Sequence, residues 1–413
     1  MKKIYSQILK CRISNDTNLK LVGKIGPLTL TGVFPKTKNK KIISTPVDIV
    51  FSEKSKLLQL RHNYTEKKLF GLNYGYRSGL NYQMIEHLKS KSIYLKKKYK
   101  IIKNNEILDI GSNDGTFLGF FDKTINKTGI DPTAKKFKKY YRKDIKIISN
   151  LFEKKSIKFF KDKKFDLITS VAMFYDLRNP LEFLENIEKI LKPDGIYHVE
   201  VAYLPDILST LSFDTFCQEH LTYFSYISFN NLINQSNLKI INFSKNSVNG
   251  GSINFDLCFK SSKHKVHSLK LNKIYAKEIK LKIDKLKTYL LFFKDIKKRA
   301  DLIIKKLKEI KKNNKIFGFG ASTKGNVLLQ FCNIDDKVLD GIYDVNKEKF
   351  NCFTPGSNIK IINEKNIVKD KPDYILFLIW HFKETINKKI KKLKLKNTKF
   401  IFPFPDFKII KKN

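Results

Sequence analysis

The segment Glu106-Ile-Leu-Asp-Ile-Gly-Ser-Asn-Asp-Gly-Thr-Phe-Leu118, followed by Gly129-Ile-Asp-Pro132, constrains this chain more than any other stretch. An apolar strand (Ile107, Leu108, Ile110) runs into a loop whose Gly111 and Gly115 admit backbone close to a ligand. The next strand ends on Asp131, a carboxylate able to accept both hydroxyls of a ribose, with Pro132 beside it. A dinucleotide loop needs three glycines to seat a pyrophosphate. Here Asn113-Asp114 stands where that anion would lie, and a carboxylate there favours a cation such as the ammonium and sulfonium of S-adenosylmethionine. Asp109, Gly111, Ser112, Asn113, Asp114, Gly115, Asp131 and Pro132 are therefore the expected methyl-donor residues.

Around this unit the chain alternates strand and helix. Strands are expected near 107–111, 127–131, 145–149, 165–171 and 196–203, with a helix from Pro180 to Leu191 closed by Lys-Pro-Asp-Gly195. Leu238 to Lys245 and Gly251 to Phe259, flanking Asn249-Gly250, read as an antiparallel edge hairpin. Residues 268–313 carry apolar positions at helical spacing (Ile274, Ile279, Ile283, Leu286, Leu290) and read as a linker helix pair. A second α/β pattern follows, with strands at Lys315–Gly320, Leu339–Asp344, Tyr374–Trp380 and Lys399–Phe402. The expected class is α/β: a doubly wound methyltransferase sheet with an edge hairpin, a C-terminal Rossmann-like unit, and a small irregular β domain in front. Expected boundaries are 1–75, 76–265, 266–314 (linker) and 315–413.

A net charge of +43 suggests nucleic acid, but the basic residues comprise 76 lysines and only six arginines. Arginine is the residue that reads bases and phosphates bidentately, so no dedicated nucleic-acid site is expected. A base-amino methyltransferase is disfavoured too, because Ala172-Met-Phe-Tyr-Asp-Leu177 stands where an Asn/Asp-Pro-Pro-Tyr/Phe motif belongs, and no Pro-Cys nucleophile is present. The five cysteines form no CxxC pair and the longest apolar run, Tyr374 to Trp380, is too short for a bilayer, so a cytoplasmic protein is expected. Nothing in the sequence sets an oligomeric state.

Three further segments narrow the reaction: Phe213-Asp-Thr-Phe-Cys-Gln-Glu-His-Leu-Thr-Tyr-Phe-Ser225, Val248-Asn-Gly-Gly-Ser252 and Gly318-Phe-Gly-Ala-Ser-Thr-Lys-Gly325, the last answered by Thr354-Pro-Gly356 and Trp380-His-Phe382. With these the chain resembles, over nearly its whole length, the sugar C-methyltransferase family, which methylates a carbon of nucleotide-linked 4-keto deoxysugars using S-adenosylmethionine. The resemblance implies a zinc-binding N-terminal domain, a central methyltransferase and a C-terminal domain that clasps the nucleotide sugar. It places the catalytic base at His220 and a tyrosine, Tyr74 or Tyr76, at the enolate oxygen. Chemistry agrees, since histidine titrates near neutrality. Glu219, adjacent in sequence, is expected to point elsewhere and to bind a substrate hydroxyl or amine or shape the field around the site, rather than form a direct dyad. Gly320, Ser322, Thr323 and Lys324 are the expected substrate-binding residues, with Lys324 at the diphosphate. Cys217 and Tyr223 are expected to pack, and His198 and His381 to be strand residues with local partners.

One departure from the family stands out. Its two CxxC pairs read Cys11-Arg-Ile-Ser14 and Ser52-Glu-Lys-Ser55 here, so one thiol of four remains and zinc is expected to be absent, with His62 a surface residue. O- or N-methylation of a sugar, or a relative that has lost activity, are the alternatives to carbon methylation.

Overall fold

The computed structural model describes residues 4–65, 69, 76–382, 386, 395 and 397–411. In the N-terminal region three strands, β1 (Leu19–Lys24), β2 (Asp48–Ser52) and β3 (Leu57–Leu60), form an antiparallel sheet. Helix α1 (Tyr82–Tyr99) follows, with the Asn81 side chain accepting from the amides of Gln83 and Met84 at its start.

The central sheet has seven strands. β4 (Glu106–Ile110), β5 (Asn126–Ile130), β6 (Ile145–Ile148) and β7 (Phe165–Val171) are parallel, in the spatial order β6-β5-β4-β7. Helix α2 (Pro180–Ile190) has proline in its first turn and Asn179 as its cap, and it leads directly into β8 (Leu191–Ala202). The ladder pairs Phe165 with Leu191 and then Leu167 with Ile196, so the expected Lys-Pro-Asp-Gly turn is looped out between them. A two-residue strand, β9 (Thr222–Tyr223), leaves this unit to pair with β3 of the N-terminal sheet. β10 (Leu238–Asn246) and β11 (Ser252–Phe259) then close the central sheet as the antiparallel edge hairpin.

Helices α3 (Ser268–Lys280) and α4 (Leu286–Lys311) fill the linker region. On α4 the buried face is Tyr289, Phe292, Phe293, Ile296, Ala300, Ile303 and Leu307; of the expected aliphatic positions Ile274 and Ile283 are buried, whereas Leu290 on α4 and Ile279 on α3 are exposed, which corrects those two. Aromatic side chains decide the orientation: Phe293 lies against β1, and a Cβ added at Gly23 would sit 2.1 Å from its ring. The C-terminal sheet comprises β12 (Ile316–Phe319), β13 (Gly341–Asp344), β14 (Ile361–Asn363), β15 (Tyr374–Phe377), β16 (Lys399–Phe402) and β17 (Lys408–Lys411), with helix α5 (Thr323–Phe331) after β12. The sequence pattern missed β14 and the exposed edge strand β17.

One continuous core joins the N-terminal sheet, α4 and the C-terminal sheet, while the two faces of the central sheet pack into two others. No helix among the described residues is long and apolar enough to cross a membrane.

Candidate active site

The carboxyl ends of β4, β5 and β7, the segment 215–220 and the loops after β12 and β13 surround a cavity of about 1150 Å³. Open α/β sheets bind ligands at this edge, and the volume exceeds that of an ordinary single-ligand pocket.

On the β4 side, Gly111 takes a left-handed backbone (φ +77°), and its N–H donates to Ile130 O at 2.9 Å. A Cβ there would meet Met173 Cγ at 2.9 Å. Asp131 is buried. Its Oδ2 accepts the Asn113 amide at 2.9 Å and its Oδ1 accepts the Thr133 amide at 2.6 Å and hydroxyl at 2.5 Å. Burial raises its pKa. Asp109 accepts the Thr169 hydroxyl at 2.6 Å, and burial pushes it up to about 7. Asp109, Gly111, Ser112, Asn113, Asp131 and Pro132 all line the cavity.

Asp114 and Gly115 do not. The Asp114 carboxylate turns back to the Thr116 amide and hydroxyl, the Gly79 amide at 3.0 Å and Arg77 at 3.7 Å. It fastens the chain before α1 onto the loop, so the acids that would face a cationic ligand are Asp109 and Asp131. Gly115 makes room for the Tyr141 ring, which a Cβ would meet at 2.5 Å.

Segment 215–220 is a turn, with the His220 amide on Cys217 O at 3.2 Å, so the alternation of a regular strand does not apply. Glu219 and His220 therefore both face the cavity, and ligand atoms of Cys217, Glu219 and His220 lie within 4.8 Å of one another. This corrects the expectation that Glu219 points away. His220 Nδ1 donates to Thr215 O at 2.8 Å, which leaves Nε2 as the basic nitrogen, and the ring meets Tyr175 edge-on at 4.7 Å. Burial and the Lys324 charge lower His220 to about 4, so the imidazole is neutral at pH 7. Glu219 is raised to about 7 by burial alone and makes no hydrogen bond among the described residues. The Cys217 thiol is buried and pushed well up, which keeps it protonated and inert.

Gln218 explains its own presence in the motif: its Nε2 donates to Leu28 O at 2.9 Å and Thr45 Oγ1 at 3.1 Å, drawing residues 28–34 over the site. A Cβ on Gly32 would sit 2.8 Å from Glu219 Oε1. From the other side, Asn326 Nδ2 on α5 donates to Thr31 O at 2.6 Å. Lys324, in the first turn of α5, reaches across to Asn249 O at 2.8 Å. Gly320, Ser322, Thr323 and Lys324 all line the cavity, and Tyr76 lines it too, while Tyr74 lies outside the described residues.

Residues 80–242 match the methyltransferase-domain family and residues 247–405 match the C-methyltransferase C-terminal domain family. C-methyltransferase NovU of Streptomyces niveus is 26% identical over 417 residues, covering 99% of each chain. Over nearly its whole length the chain is similar to the C-methyltransferases. It is a methyltransferase dependent on S-adenosylmethionine. Among solved structures, the plantazolicin methyltransferase BpumL with S-adenosylhomocysteine and a pentazolic analog aligns at 16% identity and TM-score 0.35, covering 47% of this chain and 91% of that one. N-methyltransferase NodS of Bradyrhizobium japonicum WM9 aligns at 14% identity and TM-score 0.32, covering 42% and 95%.

Within this C-methyltransferase, sequence reasoning missed Asp176, whose Oδ1 is buried and unpartnered near Glu219. It also missed Lys349 and Asp344 on the cavity wall. His381 is another correction: it lies beyond β15, lines the cavity and has an unpartnered buried Nδ1, whereas His198 is a strand residue held by Asp256 at 2.7 Å and Lys91 at 3.0 Å. The family's zinc positions do converge, but as a hydrogen-bonded knot. Cys11 Sγ lies 3.2 Å from Ser55 Oγ, the Ser55 amide donates to Ser52 Oγ, Ser52 Oγ donates to Asp16 at 2.6 Å, and the Asp16 amide donates to Ser14 Oγ. One thiol and three neutral hydroxyls are a poor donor set for zinc, and these residues do not fit the metal. His62 is buried rather than surface, with its ring edge-on to Tyr5.

Proposed function

We propose that this chain methylates a carbon next to the ketone of a nucleotide-linked 4-keto deoxysugar. One observation carries the reading: a neutral imidazole whose Nε2 makes no hydrogen bond among the described residues lines the same cavity as the loop expected to hold the methyl donor and Lys324, a half-buried lysine from the C-terminal unit.

S-Adenosylmethionine supplies the electrophilic methyl group when bound. Gly111, Ser112 and Asn113 would hold it by backbone, Asp131 by its ribose hydroxyls and Asp109 by its ammonium. Asp109, a buried acid with no cation paired to it among the described residues, suits the cationic group. His220 Nε2 takes the α-proton, and the C–H electron pair passes into the enolate, whose carbon then accepts the methyl group. Tyr76, or Tyr74 from the same stretch, donates to the developing enolate oxygen. Lys324 meets the anionic part of the substrate. Burial is the larger cause of the low His220 pKa and the Lys324 charge the second, so an anionic substrate that offsets Lys324 raises His220 only in part and makes the base stronger. Glu219 faces the sugar and binds a hydroxyl or amine.

Labelled S-adenosylmethionine incubated with dTDP-, GDP- and CDP-4-keto deoxysugars, read by mass spectrometry, should give a product with the methyl on carbon. In D2O without methyl donor, the α-hydrogen should exchange. His220→Ala should cut both by about 10² to 10⁴-fold and leave binding of the methyl donor within twofold. Turnover without exchange would mark O- or N-methylation instead.

A further inference from the structure

The turn at 217–220, closed by the His220 amide on Cys217 O, brings a thiol, a carboxylate and an imidazole into one cluster. The ligand atoms of Cys217, Glu219 and His220 lie within 4.8 Å of one another, so one point lies within about 2.8 Å of all three. Zinc bonds to sulfur, nitrogen and carboxylate oxygen run about 2.0–2.3 Å, and side-chain shifts of under about 1 Å close the difference. Among the described residues no other three such groups meet.

Independent features of the turn favour a cation. Glu219 is 6% exposed, lines the cavity and accepts no hydrogen bond among the described residues. Asp176, with its Oδ1 buried and unpartnered, adds a second acid close by. His220 donates one ring N–H to Thr215 O at 2.8 Å and meets Tyr175 edge-on, which fixes the ring and leaves the other nitrogen for a metal. Thiolate, carboxylate and neutral imidazole together carry two negative charges, which match a divalent cation, and water from the cavity completes four ligands. Sulfur and nitrogen donors select zinc-like ions over magnesium or calcium.

We infer that Cys217, Glu219 and His220 take one zinc-like divalent cation from the cavity side, and that the bound metal switches the enzyme off by occupying the imidazole that serves as base. This rests on His220 being the base, as read above, and adds a control to that same site. On binding, the Cys217 proton leaves to water and a metal–sulfur bond takes its place, with no change of oxidation state. Displacing that proton costs affinity, so the site fills only when metal is added, and a chain purified through a chelator starts empty. The cluster is separate from the knot at Cys11, whose hydroxyls do not fit zinc.

The test uses the full chain with S-adenosylhomocysteine bound, titrated with cobalt chloride by absorption and with zinc chloride by calorimetry. One ion per chain should bind, and cobalt should give a near-ultraviolet thiolate band that magnesium chloride does not. Cys217→Ser should remove the band and weaken zinc by about tenfold or more, whereas Cys11→Ser should keep both. Absence of saturable binding overturns the inference, as does a band that survives Cys217→Ser or that Cys11→Ser removes. If Cys217→Ser does not fold, Glu219→Gln decides: zinc should bind about tenfold weaker, and unchanged affinity overturns the inference. In a turnover arm, zinc at about ten times its Kd should cut wild-type methyl transfer to about a tenth and leave Cys217→Ser with about half or more. A thiolate band with undiminished turnover overturns the inhibition and, with it, the base role of His220. Turnover with no metal bound at any concentration removes the metal site and leaves that base role standing.

Discussion

At the scale of single residues, the site is defined by charges that other parts of the molecule would have paired. Glu200 is buried but held ionised by Lys91 at 2.5 Å and His87 at 3.0 Å, and Glu278 accepts two backbone amides and the Tyr203 hydroxyl. Among the described residues Glu219 has no such partner, and Asp176 beside it leaves Oδ1 unsatisfied. The Glu219 pKa of about 7 lies above its unfolded value, so ionising this group opposes folding. The penalty is absent below the unfolded pKa near 4, grows as pH rises and is complete above about 7. Glu219→Gln is therefore expected to raise Tm by a few degrees at pH 8 and by under about one degree at pH 5, at the cost of activity. Thermal melts at the two pH values check this, and an equal shift at both would mean that Glu219 carries no buried charge. The Cys11, Ser14, Ser52 and Ser55 knot makes a separate prediction. Metal analysis of the purified chain is expected to find less than about 0.1 zinc per chain, and chelators should leave Tm unchanged.

At the scale of elements, α1 shows how the cofactor edge is held rigid. Its buried Lys91 bonds Glu200, His198 and Asn254 on β8 and β11, and Lys98 pairs with Asp256 at 2.6 Å. Asn113 and Asp114 then tie the segment before α1 to the glycine loop through the Ser78 and Gly79 amides. Lys91→Met would leave buried Glu200 with His87 alone and is expected to cost about 3–5 kcal/mol in urea unfolding, with Glu200→Gln in the same chain recovering at least half. An additive double variant would show that the pair is not coupled. The periodicity of β4, β5, β7 and the edge hairpin was plain in the sequence, because buried parallel strands read as apolar runs. The orientation of α4 was not, since Leu290 and Tyr289 are adjacent and only the sheet opposite selects the aromatic.

At the scale of the whole molecule, the three regions behave as one body around the cavity. The N-terminal sheet borrows β9 from the central region and shares its core with the C-terminal sheet through α4. Gln218 ties segment 213–220 to the N-terminal region, Trp380, whose indole N–H donates to buried Asp214 at 2.8 Å, ties it to the C-terminal region, and Asn326 joins the two outer regions through Thr31. A chain ending at residue 314 would expose the surfaces of α4 and β1 that pack against the C-terminal sheet. It is expected to bind ANS and to lose a cooperative melt. A truncated chain melting as sharply as the full one would show that the outer regions are independent.

The sequence by itself determined the local chemistry: where most of the strands lie, the glycine that turns the chain at 111, the carboxylate at 131 and the motif that contains Glu219 and His220. These follow from short-range sterics and patterning, which a linear reading carries. Only the tertiary structure decided which acids face the cavity, because Asp114 and Asp109 are five residues apart yet meet opposite surroundings. It also decided that Lys324 lies across from Asn249, and that Asp344 reaches the cavity wall. Burial, charge pairing and pKa depend on groups hundreds of residues away in the chain, and no spacing rule reports them.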